Sequence, residues 1–514
     1  MIDGLTIEAD PIAGAAPAWR ARIGRDELRA VCQSVREQGG RLVALWGSDE
    51  TDRGEGYALH VALAAPSGLV CLTVALPADA PNYPDISDIF APANRMQRAA
   101  RDLLGLEAEG ATDNRKWLRH GAWPEDAYPL RKDFDLGARF APAGDRYPFV
   151  PVEGEGVHEI PVGPVHAGTI EPGHFRFSIV GEFILRLEQR LGYKHKGIEK
   201  LAETMSLTDA ARLAGRVSGD STVAYAWGYA MALEGIAGIE VPPRARWLRG
   251  ILLELERVHN HLGDLGYLGN DVALAFGFSQ FWRLKEEVLR LNAELFGHRY
   301  LMDVIAPGGV ARDMPGDGPE KLFGLAAKLD SEVATLKLIY DEHAGAQDRF
   351  IGAGRVRPEL AAQLGLAGLA GRASGLAWDL RVEYPVPPYD ALDVRMATHR
   401  NGDVAARVSV RFDEVFESLR LIRALLGRSP AGEIAAPLGE ARAGAFGIGW
   451  VEGWRGEVLI ALTAGEGNRV RRMHAHDPSW QNWPLLERAV IDNIVPDFPL
   501  INKSFNLSYS GVDV

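Results

Sequence analysis

The amino-acid sequence predicts an α+β protein in which a small sheet domain precedes a large helical bundle with flanking β elements. Strand-like runs cluster in the first 140 residues, a Pro/Gly-rich passage follows at residues 141–164, and long amphipathic helical patterns fill most of the remainder. At 514 residues the chain is also too long for one ordinary hydrophobic core, so two domains are expected.

The first region has the pattern of a small α+β domain. An amphipathic helix is predicted at residues 25–37, and a turn is predicted at residues 66–68. Strands are predicted at residues 41–46, 57–64 and 69–76. The prolines of the passage that follows disfavour a continuous helix. We therefore assign residues 1–140 to the sheet domain, 141–158 to a linker and 159–514 to the helical domain.

The second region is marked by apolar residues spaced three and four apart. The clearest helix is predicted at residues 247–265, where a single apolar stripe follows the helix-start signal Pro242-Pro243. Further helices are predicted at residues 209–233, 280–296, 321–344 and 404–426. Residues 453–473 and 501–509 are strand-like, which predicts a small β element beside the bundle.

Charge, hydropathy and cysteine content exclude several classes of function. A net charge of −13, with acids interleaved in the arginine-rich stretches, argues against nucleic-acid binding. The sequence shows neither a long apolar span nor a signal-peptide pattern, so we expect a soluble, cytoplasmic chain. Cys32 and Cys71 lack the spacing of a metal site and are expected to be buried free thiols, with a disulfide as the alternative.

Polar clusters in apolar surroundings are the candidates for chemistry, because no dinucleotide, P-loop, serine-hydrolase or zincin motif is present. His166 and Glu171 lie in GPVHAGTIEPGHFRF, and His195 and Glu199 lie in GYKHKGIEKL. A helix beginning near Gly197 would direct its positive end and several lysines towards one anionic group. The structural alternative for this second cluster is a solvated charged turn.

Two other sets of polar residues have both a structural and a functional interpretation. Arg216 and Asp220 interrupt a run of small residues, where a buried pair would either hold helices together or line a cavity. His259 and His261 are two residues apart on a predicted helix, so they face different directions and cannot bind one metal together. A structural role is favoured for one of these histidines.

The clusters resemble a known family in their order along the chain. GPVHAGTIEPGHFRF, GYKHKGIEKL, PPRARWLRGILLELERVHNHL, GRASGLAWDLR and VEGWRGEVLI resemble the large subunit of membrane-bound NiFe hydrogenases and the homologous 49-kDa subunit of complex I. YPDISDIF, RAARDLLGL and WPEDAYPLRKDF resemble the 30-kDa subunit of complex I. The fused order is that of formate-hydrogenlyase-type enzymes, and it implies a helical bundle docked on an iron-sulfur small subunit and facing a membrane arm.

The resemblance also indicates where this chain departs from the hydrogenases, which hold nickel through four cysteine thiolates. The corresponding positions here are Ala214, Val217, Ser508 and Gly511. Since none of them supplies a thiolate, neither a NiFe centre nor hydrogen chemistry is expected. Complex I places a Tyr and a His at the quinone headgroup, and the matching positions here are Gly215 and the neighbourhood of Glu171 and Pro172.

Two functions follow from the resemblance. The first is a core subunit of an oxidoreductase complex, peripheral to the membrane on its cytoplasmic side, that passes electrons from an iron-sulfur small subunit to a quinone-like or unidentified acceptor. A ferredoxin-like subunit and integral membrane subunits are the other expected partners, ion translocation is the expected coupled process, and no cofactor beyond a quinone is expected on this chain. The candidate residues of the cavity are His166, Glu171, His195, Glu199, Arg216 and Asp220.

The second function is a non-catalytic scaffold that links an iron-sulfur subunit to membrane transport subunits. A pocket lined by ionisable side chains favours the electron-transfer function, whereas apolar packing in that space favours the scaffold.

Overall fold

The structure is a computed structural model that describes residues 7–141, 143–144, 146–166 and 170–514. Its first five strands are β1 Asp10–Pro11, β2 Ala18–Ile23, β3 Arg41–Asp49, β4 Tyr57–Ala65 and β5 Gly68–Leu76. They form one sheet in the order β1-β2-β5-β4-β3, in which β2 is parallel to β5 and the other neighbours are antiparallel. The three strands predicted in this region are confirmed.

Two helices, α1 Leu28–Glu37 and α2 Ala93–Leu104, accompany this sheet. Leu28, Val31 and Val35 of α1 are buried on one side, which confirms the predicted amphipathic helix. Cys32 and Cys71 are buried free thiols, as predicted. Two short parallel strands, β6 Asn82–Pro84 and β7 Glu107–Glu109, lie beyond the sheet.

A second sheet connects the two regions of the chain. Its strands are β8 Val157–Val162, β9 His174–Val180 and β10 Phe183–Arg190, in the antiparallel order β10-β9-β8. The loop between β8 and β9 carries the first polar motif. Residues 167–169 of this loop lie outside the described part of the chain.

Helices supply most of the remaining chain. They are α3 Ile198–Ala202, α4 Leu207–Ala214, α5 Thr222–Ala237, α6 Pro243–Asp271, α7 Ala275–Phe296, α8 Gly318–Glu342, α9 Ala344–Phe350, α10 Pro358–Gln363, α11 Gly368–Arg372, α12 Leu380–Glu383, α13 Val404–Arg428, α14 Ser479–Ala489 and α15 Phe498–Phe505. The strands among them are the pair β11 Ile305–Ala306 and β12 Gly309–Val310 and the antiparallel sheet β13 Phe446–Glu452, β14 Glu457–Ala464 and β15 Val470–His476.

The long helix α6 lies at the centre of the helical region. It begins with Pro243 at its first position, as the Pro242-Pro243 signal predicts. It packs against both α7 and α13, and most of its side chains are buried, charged ones included. Within the described residues, no helix combines the length and apolar composition needed to cross a bilayer.

Glu254 of α6 carries a charge in this interior and is neutralised by neighbouring elements. Its carboxylate accepts hydrogen bonds from Arg381 at 3.1 Å and from the hydroxyl groups of Tyr389 and Ser418 at 2.6 Å each. Burial raises the pKa of Glu254, but Arg381 and the other donors outweigh this effect and lower it. Glu254 is therefore an ionised group that ties α6 to α12 and α13.

A second buried pairing joins α6 to α11, α13 and β13. The Glu414 carboxylate accepts from Nε2 of His261 at 2.7 Å and pairs with Arg372 at 2.8 Å. Arg372 also pairs with Glu452 at 2.8 Å. His261 therefore has a structural role, in agreement with the sequence-based interpretation of one histidine of the pair.

The single helix predicted at residues 209–233 is wrong, because α4 ends at Ala214 and α5 begins only at Thr222. The residues between them form tight turns. Ser218 Oγ donates to Asp220 Oδ1 at 2.8 Å, so a local side-chain hydrogen bond competes with helix formation. This break carries Arg216 and Asp220, two of the candidate site residues.

The strand predicted at residues 501–509 is also wrong. Phe498, Ile501 and Phe505 are three and four residues apart and all buried, so the helix α15 places them on one side. Asn506, with a φ of 45°, ends this helix. The strands predicted at residues 453–473 are confirmed as β14 and β15, whereas β13 was not predicted.

Gly449 of β13 lies so close to α5 that no side chain fits. An added Cβ would lie 1.7 Å from the carbonyl oxygen of Gly228. We expect Gly449→Ala to lower the free energy of unfolding by about 3 kcal/mol, because helix and sheet must move apart. An added Cβ at Gly324 of α8 meets no atom within 4 Å, so Gly324→Ala is the matched control and should stabilise by about 0.5–1 kcal/mol. Urea unfolding measures both changes, and equal stability of the two variants would contradict the close packing.

Candidate functional site

The break between α4 and α5 lies beside the C-terminal segment of the chain. Oγ of Ser218 is 3.0 Å from Oγ of Ser508, and the amide of Gly511 donates to the Ser508 hydroxyl at 2.9 Å. Ala214 and Val217 are fully buried at the start of the break. The two segments that the resemblance matches to the ligand pairs of the hydrogenases are therefore adjacent in space.

The side chains at these four positions do not fit a nickel-iron centre. Ala214 and Val217 present only alkyl groups, and the Ser508 hydroxyl is engaged in hydrogen bonds with the protein. A Cβ added to Gly511 would lie 2.6 Å from the carboxyl group of Asp477, which fills the space a side chain would need. Nickel in such a centre requires soft thiolate ligands, and these positions offer none.

Asp477 belongs to a polar cluster that occupies this part of the interior. Its carboxyl group accepts from the Tyr225 hydroxyl at 2.8 Å and from the Ser479 amide at 2.8 Å. Burial raises the pKa of Asp477, and the nearby Arg455 opposes this rise. No group of three or more His, Cys, Asp or Glu side chains in the described ranges is arranged to hold a metal ion.

Asp220 is held in its charged form by a two-point ion pair. Its oxygens accept from the guanidinium of Arg455 at 2.6 and 2.9 Å, and that guanidinium lies 3.9 Å from the ring centre of Trp454. Burial raises the pKa of Asp220, but Arg455 outweighs it and holds the pKa well below its usual range. The predicted pair of Arg216 with Asp220 is wrong, since Arg216 pairs with Asp303 at 2.7 Å.

A polar cleft of about 230 Å³ opens at this position. Glu171 from the loop before β9 and Asp220 from the break both line it, together with Arg455 and Tyr509. The amide of Ser510 donates to Glu171 Oε2 at 3.0 Å, which ties the first motif to the C-terminal segment. Two of the six predicted site residues, Glu171 and Asp220, thus meet in one cleft.

Glu199 lines a different and much smaller cavity, of about 30 Å³, at the contact between the sheet domain and β15. Its carboxylate accepts from Arg472 at 2.8 Å and from Nδ1 of His474 at 2.6 Å. Burial raises the pKa of Glu199, but Arg472 and His474 together lower it to about 2. This carboxylate is therefore ionised at neutral pH.

His166, His195 and Arg216 do not line the cleft of Glu171 and Asp220. His166 Nε2 lies 3.3 Å from the carbonyl oxygen of Gly173, and Arg216 lies on the surface with Asp303. The side chains of His166 and Arg216 are thus directed away from the cleft.

The charged turn that contains His195 binds a carboxyl group from the chain itself. The amides of Gly192 and Lys194 donate to the Asp513 carboxyl group at 2.8 and 2.9 Å, and His195 Nδ1 donates to the Asp513 carbonyl oxygen at 3.1 Å. Burial raises the pKa of Asp513 to about 7. The Asp513 carboxyl group is thus held by backbone amides that precede α3, and not by the start of that helix or by the lysine ammonium groups.

The sequence analysis missed two residues of the candidate site. Arg455 lies within VEGWRGEVLI, so its membership of a motif was the available signal. Asp477 lies outside every motif and is brought to the site only by the turn between β15 and α14.

Comparisons with known proteins agree with this architecture. Residues 21–140 match the family described as respiratory-chain NADH dehydrogenase, 30 Kd subunit, and residues 271–443 match the family described as respiratory-chain NADH dehydrogenase, 49 Kd subunit. Formate hydrogenlyase subunit 5 of Escherichia coli (strain K12) is 34% identical over 485 residues, which cover 93% of this chain and 85% of that protein.

Two other similar proteins belong to different kinds of complex. The C/D subunit of the NADH-quinone oxidoreductase of Phocaeicola vulgatus is 29% identical over 82% of this chain and 85% of that protein. A chain in the structure of the membrane-bound sulfane sulfur reductase, an archaeal respiratory membrane complex, is 26% identical with a TM-score of 0.67. That match covers 71% of this chain and all of the other.

The ion pair of Glu199 should make an acid-sensitive contribution to stability. Since its pKa falls from 4.5 to about 2 on folding, the contribution is complete above pH 4.5 and is lost as the pH falls towards 2. We expect Glu199→Gln, which leaves Arg472 without its buried partner, to cost about 3 kcal/mol at neutral pH and less below pH 4.5. Urea unfolding at several pH values measures this, with Glu320→Gln at an exposed position of α8 as the control. A loss that does not shrink in acid would contradict the ion-pair assignment.

Proposed function

This chain belongs to the family of fused 30-kDa-type and 49-kDa-type subunits of complex I-like and hydrogenase-related membrane complexes, and from that membership we propose that it carries electrons from an iron-sulfur partner to an acceptor. The proposed acceptor is quinone-like and reacts at the cleft between Glu171 and Asp220. The chain itself is an oxidoreductase-type subunit. We further propose that it holds no nickel-iron centre and lies on the cytoplasmic side of the membrane.

The ionisable lining of the cleft is the observation that carries the proposal. Glu171, Asp220 and Arg455 come from three separate segments and converge on an open space of about 230 Å³. A purely structural subunit has no physical reason to keep charged side chains around a space that apolar side chains could fill, because burying charge is costly. This lining therefore favours the electron-transfer function over the scaffold.

The residues of the cleft have distinct roles in this proposal. Reduction of a quinone-like acceptor takes two electrons and two protons, and an iron-sulfur cluster on a partner subunit supplies the electrons. Glu171 is half-buried at the cleft and is the group that would relay both protons, taken up one after the other from solvent, to the acceptor. Asp220 stays ionised through Arg455, so this pair sets a fixed electrostatic environment.

Charge changes at the cleft are the proposed link to ion movement. A proton leaving Glu171 changes the charge beside Asp220 and Arg455, and buried ionisable groups respond strongly to nearby charge. Membrane subunits of the complex would sense this change through the chain. An iron-sulfur small subunit and a ferredoxin-like subunit are the other proposed partners.

Metal content tests the absence of a nickel-iron centre. We expect the complex, isolated in mild detergent through a tag on this chain, to contain iron and no stoichiometric nickel. The physical reason is that Ala214, Val217, Ser508 and Gly511 offer no thiolate. Elemental analysis by mass spectrometry measures both metals, and one nickel per complex would contradict the assignment.

Glu171→Gln tests the proposed proton transfer. We expect turnover with reduced methyl viologen as donor and a short-chain quinone as acceptor to fall about a hundredfold, because the amide cannot supply the proton. Glu182→Gln, at an exposed position in the turn between β9 and β10, removes the same charge and should leave turnover unchanged. Unchanged turnover in Glu171→Gln would refute the role of this residue, and a wild-type complex without turnover would favour the scaffold.

A further inference from the structure

A second cleft, of about 510 Å³, adjoins the polar cleft on the far side of Asp220. The two spaces share Gly219, Asp220, Lys503 and Asn506 as lining residues. The second cleft lies between α6, α7 and the end of α15, and the proposed electron transfer makes no use of it. We call it the lysine cleft, because Lys285 and Lys503 line it.

The carboxylates of the lysine cleft are already matched by arginines. Asp220 pairs with Arg455 at 2.6 Å, and Asp264 pairs with Arg411 at 2.9 Å. These pairs neutralise the acidic side of the cleft without either lysine. Among the residues that line the cleft, the positive charges of the two lysines are therefore in excess. Asp271 at the end of α6, whose charge also acts on Lys503, lies outside this lining.

Neither lysine of the cleft has a carboxylate partner within ion-pair distance among the described residues. Lys503 Nζ lies 4.5 Å from the ring centre of Tyr267, and Lys285 Nζ lies 5.2 Å from that of Trp282. The face of an aromatic ring attracts a cation much more weakly than an anion does. Neither of these two ammonium groups thus forms a direct ion pair with a carboxylate in the described part of the chain.

Burial makes this arrangement costly for Lys285 in particular. Desolvation lowers its pKa, and the charge of Lys503 lowers it further, against the opposing effect of Asp264 and Asp220. An anion between the two ammonium groups would remove this repulsion. Surface lysines of the chain show the contrast, since Lys321 of α8 pairs with both Asp317 and Glu294 at 2.6 Å.

The walls of the lysine cleft are aromatic, and a histidine without hydrogen-bond partners lies behind them. Tyr267, Trp282 and Tyr300 line the space, and Trp282 keeps 36% of its surface exposed. His259 packs edge-on against Tyr300 with ring centres 5.5 Å apart, and neither of its ring nitrogens has a hydrogen-bond partner in the described chain. Such walls suit a ligand with an apolar part better than a bare inorganic ion.

We propose that the lysine cleft binds a small organic anion, with its carboxylate or phosphate oxygens between the ammonium groups of Lys285 and Lys503 and its apolar part against Trp282 and Tyr300. The binding does not depend on electron transfer through the neighbouring cleft. The adjoining position, which shares Asp220 with that cleft, would let the anion alter the electrostatic environment there.

Calorimetric titration of the full chain with isophthalate at constant ionic strength tests the site. We expect isophthalate to bind at least about tenfold more tightly than isophthalamide, its uncharged analogue, because charge-assisted hydrogen bonds are lost with the amide. Lys285→Met and Lys503→Met should each weaken isophthalate binding about tenfold or more. Lys285→Arg, which keeps the charge, should bind much more tightly than Lys285→Met.

The controls separate this site from general attraction of anions. Lys321→Met removes one positive charge from the surface of α8 and should leave isophthalate affinity unchanged. Inorganic phosphate should bind more weakly than isophthalate, since it cannot contact the aromatic walls. Equal affinity for the amide, equal affinity for phosphate, or full affinity in both methionine variants with unchanged thermal melting would each overturn the proposal.

Discussion

Charge buried along α6 is the constraint on which the rest of the helical region depends. An ion in the protein interior must be paired, since an unpaired one costs several kcal/mol. Glu254 of α6 requires Arg381 of α12, and Glu414 of α13 requires Arg372 of α11 and His261 of α6. These paired groups lie on α6, α11, α12 and α13, so the last three elements can pack around α6 in only a narrow set of arrangements.

The same helix positions the candidate site through polar side chains near its middle. The Glu256 carboxyl group accepts from the amides of Val223 and Ala224 at 2.6 and 3.2 Å, which caps the start of α5. Asn260, one turn further along, donates to the carbonyl oxygen of Asp220 at 2.7 Å. The break between α4 and α5 is thus held in place by α6, and the polar cleft forms where that break meets the C-terminal segment.

The N-terminal sheet is joined to the helical region by a contact of the same kind. Arg41 of β3 pairs with Glu457 of β14 at 2.9 Å, and Trp46 stacks on His474 with ring centres 4.8 Å apart. His474 in turn holds Glu199. The motif GYKHKGIEKL therefore spans two environments: its beginning binds Asp513 near the polar cleft, and its end, at Glu199, belongs to the junction with the sheet domain.

The sequence by itself determined the fold class, the strands of the N-terminal sheet, the helix after Pro242-Pro243 and the family, because these depend on local periodicity and on motifs that a single chain displays. It also showed that Ala214, Val217, Ser508 and Gly511 carry no thiolate.

Partners distant in the chain were decided only by the tertiary structure. The spacing of Arg216 and Asp220 suggested a pair, yet Asp220 binds Arg455, which lies 235 residues away. The helix α15 was missed because the segment predicted as a strand began at Ile501 and left out Phe498, the first residue of its buried helical stripe. Of the candidate residues, only Glu171 and Asp220 share the polar cleft, because the direction of a side chain depends on packing between elements and not on its place in a motif.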